Sequence, residues 1–476
     1  MAAVAVLLTL FSAGYGYHRD ELYFRMLAPA WGYVDQPPLT PLLVHLFSTF
    51  VADEAWAIRI PATMAATAWV LMLALITREL GGDRGAQGLC AWAYAFAAFP
   101  LLMGHVMLTS TIDLLVWPAV TLLVIRALLR SQPRWWYAVG AVIGLSMYNK
   151  LLIAALLAAL AVGLLIAGPR RALLSRHVAG AAVIALIIGA PNIIYQALNG
   201  WPQLSMGAAL ARKNAGEVRI EMWPFLLLLL GPPLVPIWIA GLTALLRRPR
   251  WRPVRCVAVA FPLVLVFTFV AGSQFYYPLG LLSVLFAAGC VPTAQFISRS
   301  ARWWRPVLTI GVAVNAAISA VLGLPLLPLS ILGSSPVPSV SQVAADQVGW
   351  PTYVQQIADV YKGLPAATAR RTVIITSNYG EAGAIARYGP ALGLPQPYSG
   401  HNQLYYNATP PADTMTAVVI GSQIRSTRQY FRACITTGKL ANGLGVHNEE
   451  QNQPITLCYG PLASWTTIWS AFQHYD

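Results

Sequence analysis

What most constrains this chain is a series of apolar runs built to cross about 30 Å of hydrocarbon. They lie near 1–14, 60–77, 86–103, 109–125, 136–149, 151–167, 178–195, 223–245, 256–271, 278–295 and 307–332. The pattern predicts about eleven transmembrane helices. Charge is scarce between and within them: 10% of the residues are Asp, Glu, Lys or Arg, and 57% are hydrophobic. A soluble domain runs at about a quarter charged, and a disordered chain is poor in apolar residues. Both classes are excluded, which leaves a polytopic α-helical membrane protein. The first run is short, but no small-residue cleavage site follows it, so it reads as a retained span rather than a signal peptide.

The formal charge of +14, from 31 Lys/Arg against 17 Asp/Glu, is mostly a matter of topology. Taking the connections alternately, one set of short loops holds sixteen arginines, from Arg78 and Arg84 to Arg299, Arg302 and Arg305. The other set holds Arg19, Arg25, Arg59, Lys150, Arg212, Lys213 and Arg219 over longer loops. By the positive-inside rule the first set is cytoplasmic, so the 15–59 loop and the C-terminal tail are expected outside. Stretches such as RRPRWRPVR then read as connectors at the lipid headgroups, with membrane lipids as their partners and nucleic acid excluded.

Two domains are expected: a transmembrane domain over 1–335 with its outer loop 15–59, and an extracytoplasmic α/β domain over 341–476. In the tail, TVIITSN at 372–378 and TAVVIGS at 416–422 read as strands. GEAGAIARYG reads as a helix between them, and SQIRSTRQYFRAC as a second helix after them. Cys434 and Cys458 both fall in this outward domain, where thiols oxidise. They are expected to pair, a link worth roughly 3 kcal/mol for a loop of that size.

Polar residues near the apolar runs are few, and each costs free energy to place. His18, Arg19, Asp20 and Glu21 crowd together just after the first run. They read either as a solvated loop start or as a carboxylate in an interfacial pocket, made more basic by partial desolvation. Asp113 sits near the outer end of a span, as a helix cap supported by Ser110 and Thr111 or as a functional acid facing a cavity. His105 lies on the same side. Lys150 reads as a snorkelling anchor or as a fixed cation over an anionic headgroup. The Pro-rich segment GYVDQPPLTPLL offers Asp35 and Gln36. In the tail, Glu381, His401 and Asn402 are the polar candidates, with loop hydrogen bonding as their simpler role. No Walker A loop, GxGxxG or HExxH occurs. A group-transfer enzyme working outside would then draw on a membrane-borne donor such as a polyprenyl-phosphate sugar.

These residues resemble a family. RDELYF after the first run, QPPLTPLL about fifteen residues later, Asp113 in TSTIDLLVWP and Lys150 in GLSMYNK are similar to the GT-C glycosyltransferases. The branch they most resemble is family 39, which includes the protein O-mannosyltransferases and the aminoarabinose transferases of lipid A. The resemblance covers roughly 10–290, and NYGEAGAI and YSGHN extend it into the tail. It implies a GT-C fold, with Asp20 as catalytic base and Glu21 as its partner. Asp113 would line the same cavity and approach a metal or the acceptor, and Lys150 would lie near the donor phosphate. A divalent metal ion is the candidate cofactor, with Asp113, Glu21 and His105 as candidate ligands. His18, Asp35, Gln36 and His105 are the further candidates for cavity and acceptor. One departure matters: the aminoarabinose branch has Lys where this chain has Gln36, which moves phosphate neutralisation onto Arg19, Arg59 or Lys150.

The reaction so implied is an inverting transfer from a polyprenyl-phosphate sugar to a cell-envelope glycan, lipid or protein. A transporter or flippase of lipid-linked sugar is the competing reading. It needs a polar path through the membrane, and Asp113 is nearly alone at that depth.

Overall fold

Interruptions in the apolar pattern decide the helical architecture as much as the runs themselves. The computed structural model describes residues 1–475 except Ser273. It divides into two compact units. One, the membrane unit, comprises Met1–Ser12, Ala30–Thr40 and Arg59–Leu324; the other comprises Ala13–Pro29, Pro41–Ile58 and Pro325–Asp476.

The helices, in chain order, are α1 (Ala2–Phe11), α2 (Arg19–Met26), α3 (Leu39–Phe50), α4 (Ile60–Glu79), α5 (Arg84–Ala95), α6 (Ala98–His105), α7 (Thr109–Leu129) and α8 (Trp135–Ser146). They continue with α9 (Ile153–Ala167), α10 (Arg176–Leu198), α11 (Pro202–Leu228), α12 (Val235–Arg247), α13 (Arg255–Ala271), α14 (Leu279–Arg299) and α15 (Trp304–Gly323). Each of the eleven apolar runs falls on one or two of these. Among the described residues six helices are long and apolar enough to cross a membrane, or eight if each of two bent pairs is one span. The expected eleven exceeds the number of helices that meet this length and composition. The runs at 1–14, 136–149 and 151–167 form helices of only 10, 12 and 15 residues, short of the roughly 20 a span needs.

The two bends have a common physical account. Helices α5 and α6 meet at 58°, and α11 meets the Pro232–Arg247 segment at 71°. At the second break Gly231 takes φ +98°, which an L side chain rarely adopts, and Pro232 and Pro233 cannot continue the helix. Breaks strand backbone groups that hydrocarbon cannot satisfy. Here Phe99 N–H, orphaned at the start of α6, donates to Leu229 O, orphaned at the end of α11, at 3.1 Å. Asn315 Nδ2 donates to Leu230 O at 3.0 Å beside it. Helix α11 is a correction. Its Arg212, Lys213 and Arg219 read as an outer loop, yet the segment is a 27-residue helix. Its Ala, Met, Leu, Arg and Glu are good helix formers, but a search for apolar runs passes over them.

Close approach of small residues joins the membrane helices. A Cβ on Gly241 of α12 would lie 1.8 Å from Leu285 O of α14, and one on Gly289 would lie 1.7 Å from Ile237 O. Glycine at both positions lets the two backbones touch, the usual device where lipid removes the hydrophobic drive between helices. At the ends of α4 and α7, Glu79 accepts from Arg126 Nε at 2.9 Å and Arg130 Nη2 at 2.6 Å.

In the second unit, α16 (Trp350–Lys362) precedes a five-stranded sheet. Its strands are β1 (Thr372–Thr376), β2 (Tyr398–Ser399), β3 (Thr416–Ile420), β4 (Phe431–Lys439) and β5 (Pro454–Pro461), with α17 (Tyr379–Tyr388) between β1 and β2. The spatial order is β2-β1-β3-β5-β4. Strands β2, β1 and β3 run parallel, and β5 and β4 add antiparallel at one side. Every residue of β1 and β3 is buried, the continuous apolar pattern of an inner parallel strand. The helix expected over 422–434 is corrected. Only Ile424–Thr427 and a 3₁₀ turn at Arg428–Tyr430 are helical, and β4 begins at Phe431. Pairing with β5 overrides local preference there. Cys434 and Cys458 face each other across β4 and β5 and are disulfide-bonded.

Candidate active site

The polar residues singled out from the sequence gather separately in the two units. In the membrane unit the turn after α8 is central. Leu39 N–H donates to Tyr148 O at 2.8 Å, and Thr40 Oγ1 donates to Asn149 Oδ1 at 2.8 Å. Asn149 Nδ2 in turn donates to Thr109 O at 2.9 Å, at the start of α7. One buried amide thus ties the end of the Pro-rich segment, the Lys150 turn and the helix bearing Asp113 into a fixed arrangement. Asn149 was not singled out in the sequence; its position between apolar runs, beside Lys150, was the available signal.

Asp113 lies five residues into α7, too deep to cap it, so the cap reading is set aside. Thr111, at the third helical position, instead accepts from the N–H of Leu108, the N-cap residue, at 3.1 Å. Asp113 is buried, and its Oδ1 has no hydrogen-bond partner among the described residues. It lies within electrostatic reach of Lys150. The Lys150 ammonium sits over the rings of Tyr277 (4.8 Å) and Tyr276 (5.9 Å), contacts that hold a cation without neutralising it. Ser110 Oγ donates to the Tyr276 hydroxyl at 3.1 Å. A small cavity of about 20 Å³ lies among Asp113, Ser110, Trp117, Tyr276 and Tyr277.

The remaining candidates of this unit are spread along it. Buried Arg59 donates to Ser12 O at 2.7 Å, and its Nη1 lies 3.4 Å from His105 Nε2. The main-chain carbonyl of Gln36 accepts from Tyr33 N–H at 3.0 Å. Asp35 lies within electrostatic reach of Tyr33 and Tyr195.

In the second unit, α2 presents the acidic group. His18 is its N-cap: Nδ1 accepts from Asp20 N–H at 3.2 Å, and His18 N–H donates to Glu21 Oε2 at 2.8 Å. This capping box satisfies two orphan donors. It also places Asp20 in the first turn, where the helix dipole favours a carboxylate. Because Nδ1 accepts, the imidazole proton sits on Nε2, which faces Asp346 Oδ2 at 3.8 Å. Glu21 is wholly buried, whereas the Asp20 side chain keeps 31% of its surface exposed.

Helix α17 packs on α2 with its Gly383 against the backbone of Leu22. Through that contact Tyr379 donates its hydroxyl to Asp20 Oδ1 at 2.9 Å. The Arg19 guanidinium lies 4.9 Å over the Tyr379 ring and is ion-paired with Glu449. Tyr379 rests on Tyr23 and His401, each at 4.8 Å, and His401 stacks on His474 at 4.6 Å. His401 Nδ1 accepts from Tyr379 N–H at 3.1 Å. Asn402 takes φ +49° in a turn. Glu381 accepts from the N–H groups of Ser377 (2.8 Å) and Asn378 (3.2 Å).

The electrostatics of this group follow from burial. Desolvation and the neighbouring Glu450 push the Glu381 carboxyl up to about 8 despite its two N–H donors. Burial raises Asp346 to about 7, with Arg19 pulling the other way. Burial, then the Asp20 carboxylate, holds the Tyr379 phenol well above its ordinary value, so it stays a donor. Tyr379, Asp346, Glu449 and Glu450 were not singled out in the sequence. The N-x-x-E cap signature of NYGE and the adjacent acids of NEEQ were the available signals.

Metal ligation finds no support in these residues. Among the described residues no group of three or more His, Cys, Asp or Glu side chains is placed to hold a metal ion. Of the three candidates, Asp113 and His105 belong to the membrane unit and Glu21 to the other.

Comparison with known proteins agrees with the architecture. Residues 35–195 match the family model described as dolichyl-phosphate-mannose-protein mannosyltransferase. That stretch contains Asp35, Gln36, Arg59, His105, Asp113 and Lys150, and begins after Asp20. No curated protein matches the sequence. Among solved structures, ArnT from Cupriavidus metallidurans in the apo state is similar at 16% identity and a TM-score of 0.62, over 96% of both chains. The same protein bound to undecaprenyl phosphate is similar at 16% identity and 0.62, over 97% of this chain and 98% of that one. At such identity the likeness is one of fold, and it covers both units.

Proposed function

We propose that this chain, a glycosyltransferase of GT-C architecture by its family match and fold, moves a sugar from a polyprenyl-phosphate donor to a cell-envelope acceptor outside the cytoplasm. The observation that carries the reading is the Asp20 carboxylate. It is partly open to solvent, sits in the first turn of α2 and is oriented by the Tyr379 hydroxyl, in a chain with only 17 acids. The undecaprenyl phosphate bound by the similarly folded ArnT supports a lipid-phosphate donor. The Cys434–Cys458 disulfide and the arginine-rich short loops support an outward-facing second unit.

The reaction balances as a single inverting displacement. Asp20 takes the proton of an acceptor hydroxyl, whose oxygen bonds to the anomeric carbon. The bond from that carbon to the donor phosphate oxygen breaks, and polyprenyl phosphate leaves with the electron pair. In the membrane unit Lys150 is assigned to the phosphate, where cationic contacts help as charge develops. Arg59 is assigned to support it. Arg19, whose charge is met by Glu449, is assigned to hold Tyr379 and the α2 start instead. Asp113 is assigned to the donor side with Lys150, and Glu21 and His18 to fixing the Asp20 turn.

Purified protein incubated with radiolabelled polyprenyl-phosphate sugars and envelope extract tests this. Label transferred to acceptor, with release of polyprenyl phosphate, is expected. Transbilayer movement of intact donor without turnover would establish the flippase instead.

A further inference from the structure

The sheet of the second unit carries a polar cleft that the reaction above does not use. Strand β1 lies between β2 and β3, parallel to both. The chain leaves β1 through α17 toward β2 on one side, and later returns through β3 on the other. Strand order therefore reverses at β1, and open parallel sheets bind ligands in the crevice beyond the carboxyl ends at such a point. Here Ser377 and Asn378 follow β1, and Ser422 and Gln423 follow β3. All four line a cavity of about 340 Å³, within the range of small-molecule sites.

The backbone is shaped to keep the cleft open at its floor. Gly421 takes φ +86°, and a Cβ there would meet Ser377 at 2.6 Å and Glu381 Oε1 at 2.8 Å. Ser377 Oγ donates to Ile420 O at 2.6 Å and accepts from Gln423 N–H at 2.8 Å, which locks the two strand ends together. Gln423 Nε2 also lies 3.1 Å from His474 Nδ1, a second lining residue.

The lining chemistry selects the ligand class. Hydroxyls, carboxamides and an imidazole supply donors and acceptors in mixture, as a polyol requires. Among the described residues no Lys or Arg lines the cleft, while Glu381 and Glu449 do, so an anion is disfavoured. The cleft also adjoins the candidate base through two links inside this unit. Glu449 pairs with Arg19, next to Asp20, and Glu381 lies two residues along α17 from Tyr379, which donates to Asp20.

We propose that this cleft is a saccharide-binding site that takes a neutral sugar unit of the acceptor, which makes the acceptor a glycan. The assignment to the acceptor rests on the glycosyltransferase reading; sugar binding in the cleft does not. The test is saturation-transfer NMR on the full chain in detergent, with glucose, galactose, mannose, lactose and cellobiose as probes and inorganic phosphate as competitor. At least one saccharide should bind, phosphate should not displace it, and affinity should fall tenfold or more in Ser426→Trp, which fills the cleft from an exposed position. Gln453→Ala, a milder change at the rim, should weaken the same saccharide about threefold and serves if the first variant misfolds. No saccharide binding, displacement by phosphate, or unchanged affinity in the folded variants overturns the proposal. Donor turnover in the same preparations separates the two readings. Turnover without saccharide binding rejects the cleft alone, and binding without turnover rejects the transferase alone.

Discussion

Asp20 and Tyr379 form a pair whose members have separable effects. Asp20→Asn removes the base and is expected to cut transfer at least a hundredfold, with thermal unfolding unchanged. Near-normal turnover would remove Asp20 from that role. Tyr379→Phe keeps the ring against Arg19, Tyr23 and His401 and deletes only the donor to Asp20. A hydrogen bond to a charged group is worth about 1.5 kcal/mol, so kcat should fall roughly tenfold while the donor KM stays level. Equal losses in stability and rate would make Tyr379 merely structural. Glu381 gives a pH effect of definite sign. Its folded value of about 8 exceeds the roughly 4.3 of an unfolded Glu. Between these limits the folded state holds more protons, so stability falls as pH rises and levels off above 8. Thermal unfolding between pH 5 and 9 should show that slope, and Glu381→Gln, which still accepts the N–H donors, should flatten its upper half.

At the scale of elements, glycines do opposite things according to what faces them. Gly241 meets the α14 backbone, whereas Gly207 in α11 has nothing within 4 Å. Gly241→Ala should therefore destabilise by about 3 kcal/mol, and Gly207→Ala should stabilise by about 1 kcal/mol through helix propensity. Circular dichroism melts of both variants check the contrast, and a common sign would refute the packing account. The β4–β5 hairpin depends on its disulfide, which closes a 24-residue separation. Replacing both cysteines with Ala should cost about 3 kcal/mol by the chain-entropy account. The glycine contact, the paired helix breaks and the β4 pairing were all invisible in the sequence. Each depends on a partner segment distant along the chain.

For the whole molecule, sidedness is the property on which the proposed chemistry depends. Lys362→Cys at the exposed end of α16 should react with a membrane-impermeant maleimide in intact cells. Arg250→Cys, in the arginine-rich connector before α13, should react only after permeabilisation. Background is low because Cys90, Cys256 and Cys290 are buried and the other two cysteines are bridged. The reverse labelling pattern would invert the orientation. Basic residues read from the sequence as topology markers also have local partners, since Arg126 and Arg130 both pair with Glu79. Reading them as sidedness markers alone missed the clamp between α4 and α7.

Composition and the spacing of apolar runs were enough to determine a polytopic helical protein with a small α/β tail, because burying backbone in hydrocarbon leaves few alternatives to helices. The charges of RDE, Asp113 and Lys150 stood out as candidates because charge beside apolar runs is too costly to be placed idly. Tertiary structure alone decided which of those residues keep their charge available. Arg19 is met by Glu449, and Asp20 stays partly exposed under the Tyr379 hydroxyl. Such pairings join residues more than 350 positions apart, a separation over which local pattern carries no information.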